Sequence, residues 1–342
     1  MRLLITGGAG FIGSNYIRYV LSAYPDYHII NFDKLTYAGN LESLRDIELS
    51  PHYTFIKGDI CDSGEILKDI EFDAIINFAA ESHVDRSILD AQPFLQTNVL
   101  GTYTLLETAR QRDCIFLHVS TDEVYGSTEK EFFHEDSPLM PNSPYAASKA
   151  SSDLLVRSYI KTHNLKAMIT RCSNNYGPYQ FPEKLIPLVL MNAIHGKHIP
   201  VYGDGMNVRD WIFVTDHCMA VDMVLHNGRV GEVYNVGSRN ECTNIHLINV
   251  LLKTLAGRLN VHESELLSLI RYVEDRKGHD RRYAIDPSKI EKQTGWKPET
   301  GFEEGLTKTI DWYLSNKQWM ERVLSGEYMR YYNQQYGERL KR

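Results

Sequence analysis

Residues 6–13 are TGGAGFIG and contain a G-x-G-x-x-G pattern from Gly8 to Gly13, which with Gly7 also fits G-x-x-G-x-x-G. Glycines at this spacing let the backbone turn tightly and approach a pyrophosphate at the amino end of the next helix, where amide groups and the helix dipole favour anions. Glycines also mark ordinary turns, so the surroundings of the pattern matter. Residues 2–33 have the pattern of a strand, a glycine loop, a helix and a second strand, which predicts a dinucleotide-binding unit.

The second predicted strand ends in Asp33, twenty residues after Gly13. An acid at this spacing binds a ribose 2′-hydroxyl and repels a 2′-phosphate. The alternative, in which Asp33 is only a turn residue at the end of a strand, fits the spacing less well. The sequence therefore predicts NAD rather than NADP as the cofactor, although the cation of Lys34 lies beside the acid.

Strand and helix patterns continue to alternate along the chain. Further strands are predicted at residues 53–60, 73–80, 115–119, 166–172 and 232–237. This alternation predicts an α/β fold with a Rossmann-type, doubly wound parallel sheet, because each parallel crossover needs a helix on one face of the sheet.

A smaller, discontinuous α/β substrate-binding domain is predicted beside the sheet. After residue 172 the sequence becomes irregular and rich in Pro, Gly and aromatic residues, as expected where a main sheet meets a ligand-covering region. The predicted NAD-binding Rossmann domain comprises residues 1–172 with returning segments near 208–238. The predicted second domain comprises residues 173–207 and 239–342, and the last twenty residues are expected to form a terminal helix or tail.

The composition limits the class of partner. The chain has 342 residues, 43% of them hydrophobic, with a formal charge of -7 and five cysteines. An acidic chain without a clustered basic face argues against binding to nucleic acid or to a membrane surface, so a small-molecule partner is expected. With neither a signal peptide nor a membrane span, and with no CxxC pair, the sequence predicts a soluble cytoplasmic protein with free thiols and no metal.

Residues 119–126, VSTDEVYG, follow an apolar run at 115–119 that predicts a buried strand. Thr121, Asp122 and Glu123 should therefore lie at the carboxyl end of that strand, where open α/β sheets bind ligands. Tyr145 and Lys149 follow at i and i+4, on one face of a helix. Two adjacent acids after a strand can simply cap the next helix, but together with a phenol and an ammonium they favour catalytic roles.

Two helices are predicted at about 93–112 and 144–163. The second helix must turn Tyr145 and Lys149 towards the cofactor, yet it also carries Leu154, Leu155, Tyr159 and Ile160. These apolar residues either pack in the core or form a helix bundle with a second subunit. A homodimer held by the two helices is the prediction.

Polar and basic residues later in the chain are candidates for ligand binding. In the loop at 81–86, Ser82 is expected to contact a ligand and His83 to form structural hydrogen bonds. Guanidinium and amide donors recognise phosphoryl oxygens, so an enzyme acting on a diphosphate needs basic side chains. The candidates are Lys184, Arg209, Arg276, His279, Arg281 and Arg282. Scattered surface charge is the preferred interpretation of Arg281 or Arg282 alone, but not of Arg209, which lies beside bulky apolar residues.

Several motifs together resemble the extended short-chain dehydrogenase/reductase superfamily and, within it, the dTDP-glucose 4,6-dehydratase family. They are TGGAGFIGSN at 6–15, DKLTYAGN at 33–40, AESHVDRS at 80–87, STDEVYG at 120–126, CSNNYGPY at 172–179, NVRDW at 207–211 and GHD at 278–280. The resemblance runs from Leu4 to about Trp312. Lys277 departs from the family, where many members have Pro or Ala.

The resemblance implies a three-stage reaction on dTDP-glucose. Tyr145, with its pKa lowered by the Lys149 cation, takes the proton of the sugar 4-hydroxyl positioned by Thr121, while hydride passes from C4 to NAD. Glu123 then removes the C5 proton and Asp122 protonates the departing 6-hydroxyl, so that water is lost. Hydride returns to C6, which gives dTDP-4-keto-6-deoxyglucose and regenerates NAD.

The resemblance also implies two sets of binding residues. The implied cofactor-binding residues are Gly7, Gly10, Phe11, Ile12, Gly13, Asp33, Lys34, Leu35, Thr36, Asp59, Ile60, Phe78, Ala79, Ala80, Ser82, Thr97, Tyr145, Lys149 and Asn175. The implied nucleotide-sugar-binding residues are Ser82, Thr121, Asn174, Lys184, Leu185, Pro200, Val201, Tyr202, Arg209, Asn244, Asp275, Arg276, Lys277, Gly278 and His279.

Three alternatives stay open at this point. A UDP-glucose 4,6-dehydratase differs only in base recognition, which depends on pocket shape. A nucleotide-sugar 4-epimerase or decarboxylase on the same fold is not known for an Asp-Glu pair after the Thr, and an epimerase has no use for a second acid and base once the 4-ketone forms. A cofactor-bound regulatory module should show gaps among Thr121, Tyr145 and Lys149, and the sequence has all three.

Overall fold

The computed structural model describes residues 1–323. The strands in this part of the chain are β1 (Arg2–Thr6), β2 (His28–Asp33), β3 (Tyr53–Lys57), β4 (Ala74–Asn77), β5 (Ile115–Thr121), β6 (Ala167–Cys172), β7 (Asn174–Tyr176), β8 (Ile199–Tyr202), β9 (Val208–Phe213), β10 (Val233–Val236), β11 (Glu241–Thr243) and β12 (Ile270–Val273). Seven of them form the central parallel sheet, in the order β10-β6-β5-β4-β1-β2-β3. Strand order reverses between β1 and β4, which is where a doubly wound sheet opens a crevice for ligands.

Helices cover both faces of this sheet. They are α1 (Phe11–Ala23), α2 (Ser63–Ile66), α3 (Val84–Leu89), α4 (Gln92–Phe94), α5 (Thr102–Arg112), α6 (Pro144–His163), α7 (Leu185–Ile194), α8 (Val214–Asn227), α9 (Asn244–Leu259), α10 (Glu263–Leu267), α11 (Ser288–Thr294), α12 (Phe302–Ser315) and α13 (Lys317–Val323). One apolar core joins the sheet to α1 and α8, and a separate core joins it to α5 and α6. The predicted Rossmann-type, doubly wound fold is confirmed.

The longest helix begins and ends as its sequence dictates. Ser143 caps α6 by accepting a hydrogen bond from the Ala146 amide at 3.1 Å, and Pro144 occupies the first turn, where its missing N–H is not needed. The helix ends at Asn164, whose φ of 54° is left-handed. The predicted span 144–163 is therefore correct.

Other elements differ from the predicted spans. The third strand is shorter than 53–60, because the chain turns into a 3-10 helix at Ile60–Asp62. The helix predicted at 93–112 is interrupted, since Leu95–Gly101 forms a π-helix between α4 and α5. The late strand predicted at 232–237 is β10, which pairs with β6 at the edge of the main sheet.

A third apolar core lies beyond the main sheet. It involves α7, α9 and α12, together with a three-stranded sheet in the order β11-β9-β7 and the pair β12-β8, as far as the described residues show. Strand β9 belongs to this smaller sheet, whereas α8 and β10 pack with the main sheet. The division into two domains stays a prediction, and the predicted C-terminal helix or tail lies in residues 324–342, outside the described part.

None of the helices up to residue 323 combines the length and the apolar character needed to cross a membrane.

Candidate active site

The site is centred on the carboxyl end of β5. Thr121 is the last residue of that strand, and its hydroxyl accepts a hydrogen bond from the Glu123 amide at 3.3 Å, which caps the 3-10 helix Asp122–Tyr125. Capping is therefore done by Thr121 and not by the two acids. Both carboxyls remain available to the cavities that meet at this strand end.

Two neighbouring cavities, of about 290 Å³ and 160 Å³, meet at this point. The first cavity extends along the glycine loop and the ends of the main-sheet strands. The second cavity lies against the apolar core formed by α7, α9 and α12. Six residues line both cavities: Glu123, Asn174, Asn175, Gln180, Glu183 and Lys184. A ligand in one cavity would therefore approach a ligand in the other beside Glu123.

The first cavity is shaped by backbone that only glycine permits. Gly7 has a φ of +68°, and a Cβ there would lie 2.6 Å from the Ala79 nitrogen. A Cβ on Gly13 would lie 2.4 Å from the Gly7 carbonyl oxygen, so helix α1 can begin directly against the loop. The amino end of α1 thus faces the cavity through Gly10, Phe11 and Ile12, as anion binding requires.

Asp33 holds the glycine loop in place. Its carboxylate accepts hydrogen bonds from the Ala9 amide at 2.9 Å and the Leu35 amide at 2.8 Å, while burial raises its pKa. Lys34 forms an ion pair with Asp59 at 2.6 Å. The Lys34 cation is therefore already paired with an acid, which makes it less available to a 2′-phosphate.

Tyr145 and Lys149 both line the first cavity from α6. The Lys149 ammonium donates to the Val119 carbonyl oxygen at 2.8 Å, and burial lowers its pKa to about 8, a fall that Asp153 opposes. Burial raises the pKa of Tyr145 well above its usual value, and the Glu123 carboxylate adds to the rise. Desolvation and the Glu123 carboxylate thus set the Tyr145 pKa in the protein chain by itself, and the expected lowering of that pKa by Lys149 stays a prediction.

The two adjacent carboxyls differ in their surroundings. Asp122 is buried, and burial followed by the charges of Glu123 and Asp210 raises its pKa well above the usual range. Burial also raises the pKa of Glu123, but the cations of Arg209, Lys184 and Arg276 oppose that rise. Environments that separate two carboxyl pKa values in this way suit one group to be an acid and the other a base.

Charged side chains in the second cavity are held by partners from distant segments. Arg276 makes two hydrogen bonds to the Asp85 carboxylate, at 2.7 and 2.9 Å, and Tyr202 donates to the same carboxylate at 3.2 Å. Nδ1 of His279 lies 2.6 Å from a carboxylate oxygen of Asp275, while burial lowers the His279 pKa. These pairs fix basic groups at the cavity wall before any ligand arrives.

Two further cations face the junction of the cavities. Arg209 is buried and donates to the backbone carbonyl oxygens of Val208 at 2.7 Å and Asp280 at 2.9 Å. Lys184 donates to the Ser82 carbonyl oxygen at 2.7 Å, and burial lowers its pKa. Among residues 1–323 neither side chain forms an ion pair with a carboxylate, so both are available to an anionic ligand.

Several buried polar atoms around the cavities lack a hydrogen-bond partner among residues 1–323. They are Oγ of Ser120 and Ser173, Oδ2 of Asp122, Oδ1 of Asn174, Asn175 and Asn244, and Oε1 of Gln180. A buried polar atom without a partner is costly, and a polar ligand removes that cost. Most of these atoms are acceptors, so the walls are suited to a ligand rich in hydroxyl and N–H groups.

Most residues implied by the resemblance line these cavities. Of the cofactor set, all except Leu35 line the first cavity. Of the nucleotide-sugar set, Asp275 and Lys277 line neither cavity, and Asp275 instead contacts His279. Arg281 and Arg282 also lie outside them, paired with Asp204 and Glu241. The surface-charge interpretation fits Arg281, whose side chain is 55% exposed, but not Arg282, whose side chain is 14% exposed.

Some cavity residues were not singled out by the sequence. Gln180, Phe181 and Glu183 lie in the irregular aromatic segment whose composition did mark a ligand-covering region. Asp85, in the first turn of α3, lines neither cavity but holds the cavity residue Arg276, from which it is 191 residues distant in the chain. Tyr283 lines the second cavity and carries no motif that could have identified it.

The described residues include no group of three or more His, Cys, Asp or Glu side chains arranged to hold a metal ion.

The chain is similar to known proteins over nearly its whole length. The family model described as GDP-mannose 4,6 dehydratase matches residues 4–309. The dTDP-glucose 4,6-dehydratase of Neisseria meningitidis serogroup B is 50% identical and aligns over 96% of this chain and 97% of its own.

Solved structures give the same result. A dTDP-glucose 4,6-dehydratase from Streptomyces venezuelae, solved with NAD and TYD bound, is 50% identical, covers 94% of this chain and 100% of its own, and has a TM-score of 0.89. The dTDP-glucose 4,6-dehydratase of Bacillus anthracis, solved in complex with NAD, is 49% identical, with coverages of 94% and 99% and a TM-score of 0.85. The similarity extends over nearly the whole chain.

Proposed function

The chain belongs to the dTDP-glucose 4,6-dehydratase family, and we propose that it converts dTDP-glucose to dTDP-4-keto-6-deoxyglucose. The observation that carries this proposal is the position of Asp122 and Glu123, which line the cavity that Tyr145 and Lys149 also line. Oxidation at C4 needs only one acid–base group. A second acid and a second base are needed when water is then eliminated across C5 and C6.

NAD is the cofactor that fits the first cavity. The fit rests on the glycine loop, on the amino end of α1 and on the buried carboxylate of Asp33, which favours a ribose hydroxyl over a phosphate. When bound, NAD supplies the capacity to accept and return a hydride. Related enzymes of known structure were solved with NAD bound, which supports the same choice.

Tyr145 is the base for the sugar 4-hydroxyl, and Thr121 orients that hydroxyl. Because burial raises the Tyr145 pKa, its ionised form needs positive charge nearby. Lys149, one turn further along α6, carries that charge below about pH 8. The buried side chain of Lys149 is fixed by the Val119 carbonyl, so the charge keeps one position relative to the phenol.

Asp122 and Glu123 act in the elimination. Asp122 is the acid that protonates the leaving 6-hydroxyl, because burial and the neighbouring charges of Glu123 and Asp210 raise its pKa and so favour the protonated carboxyl. Glu123 is the base that takes the C5 proton, because three cations favour its ionised form and it lines both cavities. The carbanion that develops at C5 is stabilised by the adjacent 4-ketone.

The second cavity holds the nucleoside diphosphate. The cations that we assign to its phosphoryl oxygens are Lys184, Arg209 and Arg276, while His279, whose Nδ1 donates to Asp275, lines the same cavity. Asn244 lies at the start of α9 with an Oδ1 atom that lacks a partner among the described residues, so it is available to the ligand.

The test is incubation of the protein with dTDP-glucose and, separately, UDP-glucose, followed by mass analysis for loss of one water. Product should form from dTDP-glucose without added reductant, and deuterium placed at C4 should appear at C6 of the same molecule. The variant Tyr145→Phe is the matched control and should give no product. A change at C4 without loss of water would instead indicate an epimerase.

We further propose that the protein is a homodimer held by the π-helix, α5 and α6. Leu100, Tyr103 and Leu154 are 50%, 47% and 54% exposed on these neighbouring helices, which is more apolar surface than a solvated helix pair needs. Light scattering at micromolar concentration should give twice the mass of the chain, and Leu154→Asp should give the monomer. A monomeric unaltered protein would rule the proposal out.

The cytoplasm is the compartment that we propose. Support comes from the five cysteines, which all have free thiols, as is usual in a reducing compartment.

A further inference from the structure

Tyr283 lies against the proposed base from the opposite wall of the second cavity. Its hydroxyl is 2.7 Å from Oδ2 of Asp280 and 3.4 Å from Oε2 of Glu123. The side chain is only 6% exposed, and the Arg209 guanidinium lies over its ring at 4.1 Å. The phenol is therefore fixed between two carboxyl groups.

A phenol has one proton to donate, so it cannot donate to both acids at once. Asp280 is the better acceptor because it is closer, and because its other oxygen is held by the Asn142 amide at 2.6 Å. The backbone oxygen of Asp280 is held as well, by the side chains of Arg209 and Asn207. The phenolic proton consequently lies towards Asp280, and the oxygen lone pairs of Tyr283 face Glu123.

We infer that Tyr283 is a positioning residue for the elimination, which accepts a hydrogen bond from Glu123 once Glu123 has taken the C5 proton. This inference rests on the proposed function. In the step, the C5–H bond breaks, its electron pair stays on carbon in conjugation with the 4-ketone, and an O–H bond forms on Glu123. Tyr283 neither gains nor loses a proton, because its own proton stays on the bond to Asp280.

The arrangement favours proton transfer for a simple electrostatic reason. Before the transfer, Tyr283 offers Glu123 no donated proton, so the carboxylate is not stabilised by that hydroxyl and remains basic. After the transfer, the Glu123 hydroxyl finds an oxygen acceptor already in place. The ionisable or charged groups that face Glu123 from all neighbouring elements are Asp122, Tyr145, Lys184, Arg209, Arg276, Asp280 and Tyr283.

The variant Tyr283→Phe tests the inference, since it removes the hydroxyl but keeps the ring beneath Arg209. With dTDP-glucose in a single turnover, the NADH absorption should appear at the normal rate and decay about tenfold more slowly, the size of one hydrogen bond to the base. The acid limb of the pH profile for decay should move to lower pH, because protonated Glu123 loses its acceptor. The control variant Tyr234→Phe removes a buried hydroxyl that accepts a hydrogen bond from the Arg229 amide and donates one to Gln293. It should leave both phases unchanged.

Two substitutions of Asp280 test the inference independently, again through the decay of the NADH absorption. Asp280→Asn keeps an oxygen that can accept the phenolic proton, whereas Asp280→Leu frees that proton to stabilise ionised Glu123. The decay phase should therefore slow more in Asp280→Leu than in Asp280→Asn.

Normal decay and an unmoved acid limb in Tyr283→Phe would overturn the inference, and so would equal slowing of both phases. A failure of the proposed function is distinguishable, because the unaltered protein would then release no water from dTDP-glucose.

Discussion

The two cavities are built in different ways. The cofactor cavity depends on backbone geometry within short segments. Gly13 packs against the Gly7 carbonyl oxygen, and the Asp33 carboxylate accepts hydrogen bonds from the amides of Ala9 and Leu35. The substrate cavity depends on side chains from distant segments, such as Arg276 and Asp85, which are 191 residues apart. The first is therefore sensitive to added volume, and the second to lost charge.

Asp122 and Glu123 lie where the two kinds of construction meet. The main sheet fixes their backbone through β5 and the Thr121 cap, while cations from later segments act mainly on Glu123. The comparison therefore predicts that the two neighbouring acids respond differently to substitution.

The largest expected effects come from these acids. Asp122→Asn and Glu123→Gln should each slow dehydration by about a hundredfold to ten-thousandfold, the usual contribution of a general acid or base. Both variants should still reduce bound NAD when dTDP-glucose is added, because Thr121, Tyr145 and Lys149 remain. Absorbance in the near ultraviolet measures that reduction.

A 6-fluoro analogue of the sugar nucleotide separates the two roles. Fluoride needs less protonation than hydroxide as it leaves, so the analogue should restore elimination in Asp122→Asn and hardly at all in Glu123→Gln. Equal rescue of the two variants, or rescue of Glu123→Gln alone, would show that acid and base are assigned the wrong way round.

The next largest effect tests the backbone construction. Gly13→Ala should weaken NAD binding by about tenfold to a hundredfold, since its Cβ would lie 2.4 Å from the Gly7 carbonyl oxygen and overpacking costs about 1–3 kcal/mol. Gly257→Ala is the matched control in α9, where nothing lies within 4 Å of the added atom, and should bind NAD normally. Titration followed by tryptophan fluorescence compares the two.

This difference explains how far the sequence could predict the site. The glycine loop, Asp33 and the strand-end acids follow from local spacing, and the structure has them at the predicted strand ends. Desolvation depends on everything that surrounds a group, so the raised pKa of Tyr145 could not be read from the i, i+4 position of Lys149. The Asp85–Arg276 pair and the position of Tyr283 depend on long-range packing that no local pattern encodes.

A smaller effect tests the side-chain construction. Asp85→Asn should raise KM for dTDP-glucose about tenfold with little change in kcat, because Arg276 loses its two charge-assisted hydrogen bonds and its fixed position. NAD affinity should not change, since neither residue lines the first cavity. Weaker NAD binding in this variant would mean that the two cavities are coupled more tightly than their construction suggests.

A pH effect of about twofold is expected from Lys149. Its pKa is lowered to about 8, so the ammonium predominates below that pH and is lost as the pH rises through it. If the charge assists Tyr145, the rate of NAD reduction by bound substrate should fall to about half near pH 8. Lys149→Arg should move that fall to higher pH, because a guanidinium keeps its proton; an unmoved alkaline limb would assign it to another group.

The smallest expected effect is that of Arg281→Ala. Arg281 makes an ion pair with Asp204 at 2.9 Å, which resembles the Arg276–Asp85 pair in chemistry. The side chains of Arg281 and Asp204 are, however, more than half exposed, and the pair lies outside both cavities. Water and salt screen an exposed pair, so its loss should change neither KM nor the melting temperature within error. Steady-state kinetics and thermal denaturation, run beside Asp85→Asn, measure the contrast. A rise in KM for Arg281→Ala would mean that the diphosphate is attracted by the net charge of this whole face, and not by the buried cations that the second cavity holds in place.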